Sequence, residues 1–142
     1  MVGELIGLSA ESSIISIVDD EMDITILFRN ALSIVTGISI FTFTDPKLAF
    51  EHFRVNKHDY VLIISDLRMP GLSGIELIKL VKDTNSSVRT LLMTAFEVND
   101  NIFQQYMKQN IINGFLQKPI SVNDLIKEVK NQIRSYQLQK QK

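Results

Sequence analysis

Apolar residues fall in five short runs, separated by stretches in which they recur at helical spacing. Ile14 to Val18 (Ile-Ile-Ser-Ile-Val) has the pattern of a buried strand and runs straight into Asp19, Asp20 and Glu21. Ile24, Leu27, Phe28, Ala31 and Val35 then repeat with a helical period around Asp23, Arg29 and Asn30, which predicts an amphipathic helix closed by Gly37. Ile38 to Phe43 alternates, as a strand with one less buried face does, and Asp45-Pro46 supplies an N-cap and a first-position proline for a second helix through Phe53. Tyr60 to Ser65 is nearly all apolar, as a central strand covered on both faces requires, and it ends in Asp66 and a Met69-Pro70-Gly71 turn.

Ser73 and Glu76 then form a capping-box pattern for a third helix carrying Ile75, Leu77, Ile78 and Val81. A fourth strand, Val88 to Met93, ends at Thr94, and Ile102, Phe103, Tyr106 and Met107 mark the helix after it. Gly114 to Gln117 is a fifth strand ending at Lys118-Pro119, and Ser121 with Asp124 repeats the capping pattern ahead of Val122, Leu125, Ile126, Val129 and Ile133. Strand-helix alternation implies a parallel sheet with right-handed crossovers. In the order 2-1-3-4-5, ligands bind outside the carboxyl ends of the strands, near the switch point between strands 1 and 3. Residues 1–12 read as an N-terminal extension, 13–136 as one domain, and 137–142 as a polar tail that frays.

Composition narrows the function more than the fold. With 142 residues, 45% hydrophobic and 22% charged, the chain holds enough to bury one substantial core. A net charge of -1 and a pI near 6.1 give no general attraction to nucleic acid or to an anionic membrane. Cysteine is absent, so thiolate metal sites and disulfides are excluded. Met1 to Ser13 lacks a basic start and is interrupted by Glu4, and no apolar run reaches the length of a membrane span, so a soluble, cytoplasmic protein is expected.

The topology brings Asp19, Asp20, Asp66, Thr94 and Lys118 to one edge of the sheet. Three neighbouring carboxylates repel unless a cation intervenes, and magnesium, a hard ion with oxygen ligands, fits them. Asp66 is then placed to attack a phosphoryl group, with Lys118 offsetting charge on the transferring oxygens and the Thr94 hydroxyl donating to one of them. His52 and His58 fall away from this edge and receive no catalytic role. Phe50, Phe53, Phe103 and Tyr106 sit at helical spacing and are expected in the core.

These residues, with Asp66-Leu67-Arg68-Met69-Pro70-Gly71, Gly74, Thr94-Ala95 and Phe115-Leu116-Gln117-Lys118-Pro119, make the chain resemble the receiver domain of two-component response regulators over residues 13–136. The resemblance implies a flavodoxin-like, doubly wound (βα)5 fold, with a five-stranded parallel sheet and helices on both faces. It implies Asp66 as phosphoacceptor, Asp20 as main ligand of Mg2+ (or Mn2+), Asp19 as holder of a metal-bound water, and the backbone carbonyl of Arg68 as a further ligand. Lys118 matches the phosphate-binding lysine, in a Lys118-Pro119 bond that is often cis in the family. Thr94 and Phe115 match a switch pair acting on the surface of the fourth helix, fifth strand and fifth helix. Arg68 and Phe96 match rim positions that tune dephosphorylation, and bulky Phe96 is expected to slow it.

Two departures stand out. Ile111-Ile112 replaces the usual Gly-Ala, which leaves Asn110 to end the fourth helix in the left-handed region. Phe115 lacks a tyrosine hydroxyl, which favours its burial. The expected partners are a sensor histidine kinase or histidine phosphotransfer protein and a downstream protein, and a homodimer through the surface of the fourth helix, fifth strand and fifth helix is compatible with the family. No direct contact with nucleic acid or membrane is expected. Within this reading the chain is a stand-alone switch that catalyses only its own phosphorylation and dephosphorylation and is not an enzyme on free substrates. The rivals are a Mg2+-dependent aspartyl-phosphate phosphohydrolase and a phosphorylation-independent interaction module.

Overall fold

The computed structural model describes residues 13–95 and 101–141. The chain alternates β1 (Ile14–Val18), α1 (Met22–Leu32), β2 (Ser39–Phe43), α2 (Pro46–Val55), β3 (Tyr60–Asp66), α3 (Gly74–Thr84), β4 (Arg89–Thr94), α4 (Asn101–Lys108), β5 (Gly114–Gln117) and α5 (Val122–Lys140). All strand pairs are parallel and the sheet order is β2-β1-β3-β4-β5, the expected flavodoxin-like topology. β1 and β3 are buried along their whole length, whereas β2 is a half-covered edge.

Helices cover both faces. Phe28 and Leu32 of α1 pack with Leu125, Val129 and Ile133 of α5 on one side of Ile15, Ile17 and Ile64. On the other side Ala49 and Phe53 of α2 and Leu77 and Val81 of α3 cover Val18 and Ile63, and Phe103 of α4 joins Ile78, Leu92 and Ile112. Phe53 is fully buried, and burial of such a ring contributes about 2–3 kcal/mol. Phe50 and Tyr106 are half-buried, and the Lys79 ammonium lies 4.9 Å from the Tyr106 ring centre. Tyr60 is buried, and its hydroxyl bonds to Ser16 of β1 and, at 2.6 Å, to His52 Nδ1 of α2. His52 is thereby a packing residue, as its place away from the acidic edge predicts.

The caps follow the sequence closely. Asp45 accepts from the Lys47 N–H ahead of Pro46, and Ser73 with Glu76 forms the complete box at α3. Ser121 accepts from the Asp124 N–H, one half of the second box. Asn110 adopts φ 59, ending α4 in the left-handed region, and Lys118-Pro119 is cis.

Three details differ from expectation. α1 stops at Leu32, before Val35 and Gly37, because the Ser33 hydroxyl and N–H both turn back to the Asn30 carbonyl. Its inward face is Thr25, Phe28 and Leu32, with Thr25 Oγ1 bonded to the Met22 carbonyl, and Leu27 is 49% exposed. α2 runs to Val55, one residue pair beyond Phe53. α5 continues to Lys140, past the expected end at Tyr136, because Gln137 is buried and Gln139 bonds to Ser87 and Arg89 across the sheet end; Val122 is exposed at its start. The extension 1–12 and Lys142 lie outside the described residues. No helix among the described residues is long and apolar enough to cross a membrane.

Candidate functional site

Register aligns the strand ends. Val18 pairs with Ser65, so the next residues, Asp19 and Asp66, emerge level; Asp66 pairs with Met93 and Thr94 with Gln117, which sets Lys118 just beyond. Backbone bonds lock this edge: Asp19 N to Phe43 O at 3.1 Å, Leu67 N to Met93 O at 3.0 Å, and Lys118 N to Thr94 O at 2.8 Å. Gly74 N donates to Leu67 O at 2.8 Å, and a Cβ at Gly74 would stand 2.1 Å from the Asp66 carbonyl oxygen, so only glycine lets α3 start this close to the strand.

Asp19, Asp20 and Asp66 bring one carboxylate oxygen each within 4.8 Å of one another. Lys118 Nζ lies 2.8 Å from Asp66 Oδ1 and 3.7 Å from Asp19 Oδ2. Asp19 is wholly buried, Asp66 and Thr94 are buried, and Asp20 is exposed. Asp19 Oδ1 accepts from the Glu21 N–H at 2.9 Å, while Oδ2 is buried without a hydrogen-bond donor. Burial pushes the Asp19 carboxyl above its usual range, with the charges of Asp66 and Glu21 adding to it, and the Glu21 N–H and Lys118 only partly oppose this. Burial acts against the charged form of Lys118, but its hydrogen bond to Asp66 and the fields of Asp66, Asp19 and Glu21 outweigh that and raise its pKa.

On the other side of Asp66 a hollow of about 330 Å³ is lined by Asp66, Leu67, Arg68, Thr94, Ala95 and Lys118. The arrangement offers a carboxylate oxygen at the wall of a small open space, a lysine beside it and an anionic cluster behind it. The structure thus brings together Asp19, Asp20, Asp66, Thr94 and Lys118. Arg68 is exposed at the rim, and Phe115 is half-buried on β5, two strands from Asp66, its ring 5.3 Å from Phe103. Phe96 lies outside the described residues.

Sequence reasoning missed the supports. Gly74 was visible as a motif residue, but its contact with the Asp66 carbonyl has no local signal. Ser65 Oγ donates to that same carbonyl at 2.9 Å, a role that a serine in an apolar run could have suggested. Met22 and Ile26, 61% and 48% exposed on α1 just past the acidic pair, form an apolar strip that the helical period alone would have placed on a polar face.

The family model for the response regulator receiver domain matches residues 15–130. Sporulation initiation phosphotransferase F of Bacillus subtilis is 29% identical over 116 residues, which cover 82% of this chain and 90% of that protein. The DNA-binding transcriptional regulator NtrC of Escherichia coli is 28% identical over 131 residues, 92% of this chain, and the chain spans only 27% of that protein's length. Among solved structures, a response regulator receiver domain protein from Clostridium thermocellum superposes with a TM-score of 0.78 at 25% identity, covering 89% of this chain and 98% of that one. The chemotaxis protein CheY4 of Vibrio cholerae gives 0.71 at 25% identity over 84% and 97%. With the matched span covering most of the chain and every strand of the sheet, the chain belongs to the response regulator receiver domain family of two-component systems.

Proposed function

We propose that Asp66 accepts a phosphoryl group from the phosphohistidine of a partner histidine kinase or phosphotransfer protein, and that this modification switches the α4-β5-α5 surface. The observation that carries the reading is Lys118 Nζ at 2.8 Å from Asp66 Oδ1, at the wall of the 330 Å³ hollow. An Asp66 carboxylate oxygen forms the bond to phosphorus as the phosphorus–nitrogen bond breaks, and the imidazole nitrogen leaves with the electron pair. Lys118 would turn from Asp66 toward a phosphoryl oxygen, and the Thr94 hydroxyl would donate to another.

The donor set suits Mg2+, or Mn2+ with the same ligands: three carboxylates converge, and the buried Asp19 Oδ2 has no donor of its own. Asp19, Asp20, Asp66 and the Arg68 backbone carbonyl would hold the ion, which when bound neutralises charge on the phosphoryl oxygens. Thr94 and Phe115 would transmit the change, Phe115 through its packing against Phe103 on α4. The phosphohydrolase alternative needs a second carboxylate as acid or base in the hollow, and Asp66 is the one acid among the described residues that line it. The chain is therefore read as a switch that turns over no free substrate.

Intact mass after incubation with magnesium and acetyl phosphate tests this. A single acid-stable, base-labile phosphate is expected, and it should vanish in Asp66→Asn. Undiminished incorporation in that variant would overturn the assignment.

A further inference from the structure

At the margin of the sheet farthest from β5, β2 runs with no strand beside its outer side among the described residues, and nothing in its sequence guards it. Ser39–Phe43 holds no charge and no proline, the devices by which edge strands ordinarily refuse another strand, and it is rich in β-branched and aromatic residues. Two bonds fix which of its groups face outward. Ser39 N donates to Ser13 O at 2.9 Å and Asp19 N to Phe43 O at 3.1 Å, so alternate residues, Phe41 among them, turn their backbone groups toward β1. Ile40 and Thr42 therefore present N–H and C=O to the open side, as a template for pairing.

The helix above this edge carries an apolar strip to match. Leu48 and Val55 of α2, 60% and 69% exposed, flank His52 on one side of the helix, at i, i+4 and i+7. Glu51, at the margin of the strip, is already answered by Arg54 of its own helix. The His52 ring lies 4.4 Å from that of Phe41, itself 40% exposed, so the middle of the strip stands over the middle of β2. We propose that β2 pairs antiparallel with β2 of a second copy of this chain, about a two-fold axis through Phe41. Ile40 of each chain then exchanges both backbone bonds with Thr42 of the other, the two Phe41 rings meet in the closer, non-hydrogen-bonded position, and Leu48 of one α2 faces Val55 of the other. The occupant is a second copy because the surface is complementary to itself: strand and strip are centred on one point, and a single axis there satisfies both. The inference goes beyond the receiver reading and does not rest on it. Since β2 and β5 are opposite margins of the sheet, the pair leaves both α4-β5-α5 surfaces open, and its antiparallel join turns the two acidic edges in opposite directions.

Sedimentation and backbone amide exchange of the full chain, from micromolar to millimolar concentration, test this. A dimer should grow with concentration, and exchange at the Ile40 and Thr42 amides should slow in step with it. Phe41→Lys removes the aromatic pair and sets like charges opposite one another, so association should weaken about tenfold or more. Thr42→Pro deletes an outward N–H that the single chain does not use, and should weaken association while the urea midpoint stays near that of the parent. Lys130→Glu, on α5, should leave association unchanged. The chain has no cysteine of its own, and the Phe41→Cys thiols of two copies would sit on α-carbons about 4.5 Å apart, within the span of a disulfide, so mild oxidation should link them. A monomer at every concentration, or association kept in Phe41→Lys but lost in Lys130→Glu, overturns the proposal. Protection of Ile40 and Thr42 that does not vary with concentration overturns it too, since a strand from the same chain would then cover the edge. If Phe41→Lys fails to fold, exchange in the parent chain and the Phe41→Cys link decide.

Discussion

At the amino-terminal ends of β4 and β5, Lys82 Nζ donates to the Val88 carbonyl at 2.7 Å and to Asn113 Oδ1 at 2.8 Å. The same Asn113 oxygen accepts from the Thr90 N–H at 3.0 Å, and Arg89 spans to Gln132 and Gln139 on α5. At the carboxyl ends of the strands, three carboxylates converge on one lysine and Asp19 Oδ2 is buried with no donor. Both regions are polar and partly buried, yet one is saturated from within and the other has more negative charge than its own cations answer. The contrast separates support from function: a satisfied network fixes helices on the sheet, and an incomplete one is completed by what binds there.

The first way to break this comparison concerns packing. If the carboxyl edge is unfinished only in charge, its backbone must be as tight as any core. Gly74→Ala sets a methyl group 2.1 Å from the Asp66 carbonyl oxygen and 2.9 Å from Leu92, so a loss of about 3 kcal/mol or more is expected in urea unfolding. A midpoint like that of the parent would show that α3 can retreat at little cost. Charge is tested next. Magnesium at about a hundredfold excess over its Kd should stabilise the fold by about 2.7 kcal/mol. Asp19→Asn keeps the acceptor for Glu21 but removes a buried charge, so it should raise the metal-free Tm while shrinking the magnesium shift. A lower metal-free Tm would mean that the Lys118 contact outweighs the crowding.

At the saturated end, Asn113→Ala should cost about 2 kcal/mol, since it strips an acceptor from Lys82 and from the Thr90 N–H together, and no magnesium should recover it. The smallest effect is on pH dependence. Burial, with the Arg89 charge adding, pushes Lys82 down to about 8 from its ordinary 10.5. Between those values the unfolded chain binds more protons, so stability should rise as pH climbs from about 8 to 9.5, below the range where tyrosines ionise. Lys82→Met should flatten that slope, and an unchanged slope would assign it to other groups.

Much of this was legible from residue order. Apolar runs that end in Asp19, Asp66, Thr94 and Lys118 define both the strands and the edge where they meet, because a parallel sheet brings strand ends together without further information. The caps at Asp45 and Ser73 were readable for a similar reason: their bonds close within three residues. What escaped the sequence depends on long-range choices. Lys82 and Asn113 are 31 positions apart, and Arg89 and Gln139 are 50 apart, so the glutamines of α5 look like a polar tail until the strand they clamp is in place. Thr25 displaced Leu27 from the buried face of α1 by satisfying its own hydroxyl, which no hydrophobic pattern records. The donorless oxygen of Asp19 follows from three-dimensional packing alone.

The three tyrosines give this molecule an optical readout of its own. The chain has no tryptophan to dominate its emission. The Tyr60 hydroxyl is tied to Ser16 and His52, and Tyr136 is buried on α5, so both report on the scaffold. Tyr106 is the half-buried one, on the helix next to Phe115 and beneath the Lys79 ammonium. Ultraviolet difference spectra of the unlabelled protein should therefore register a change at α4 chiefly through a single ring, without an engineered dye or an altered side chain.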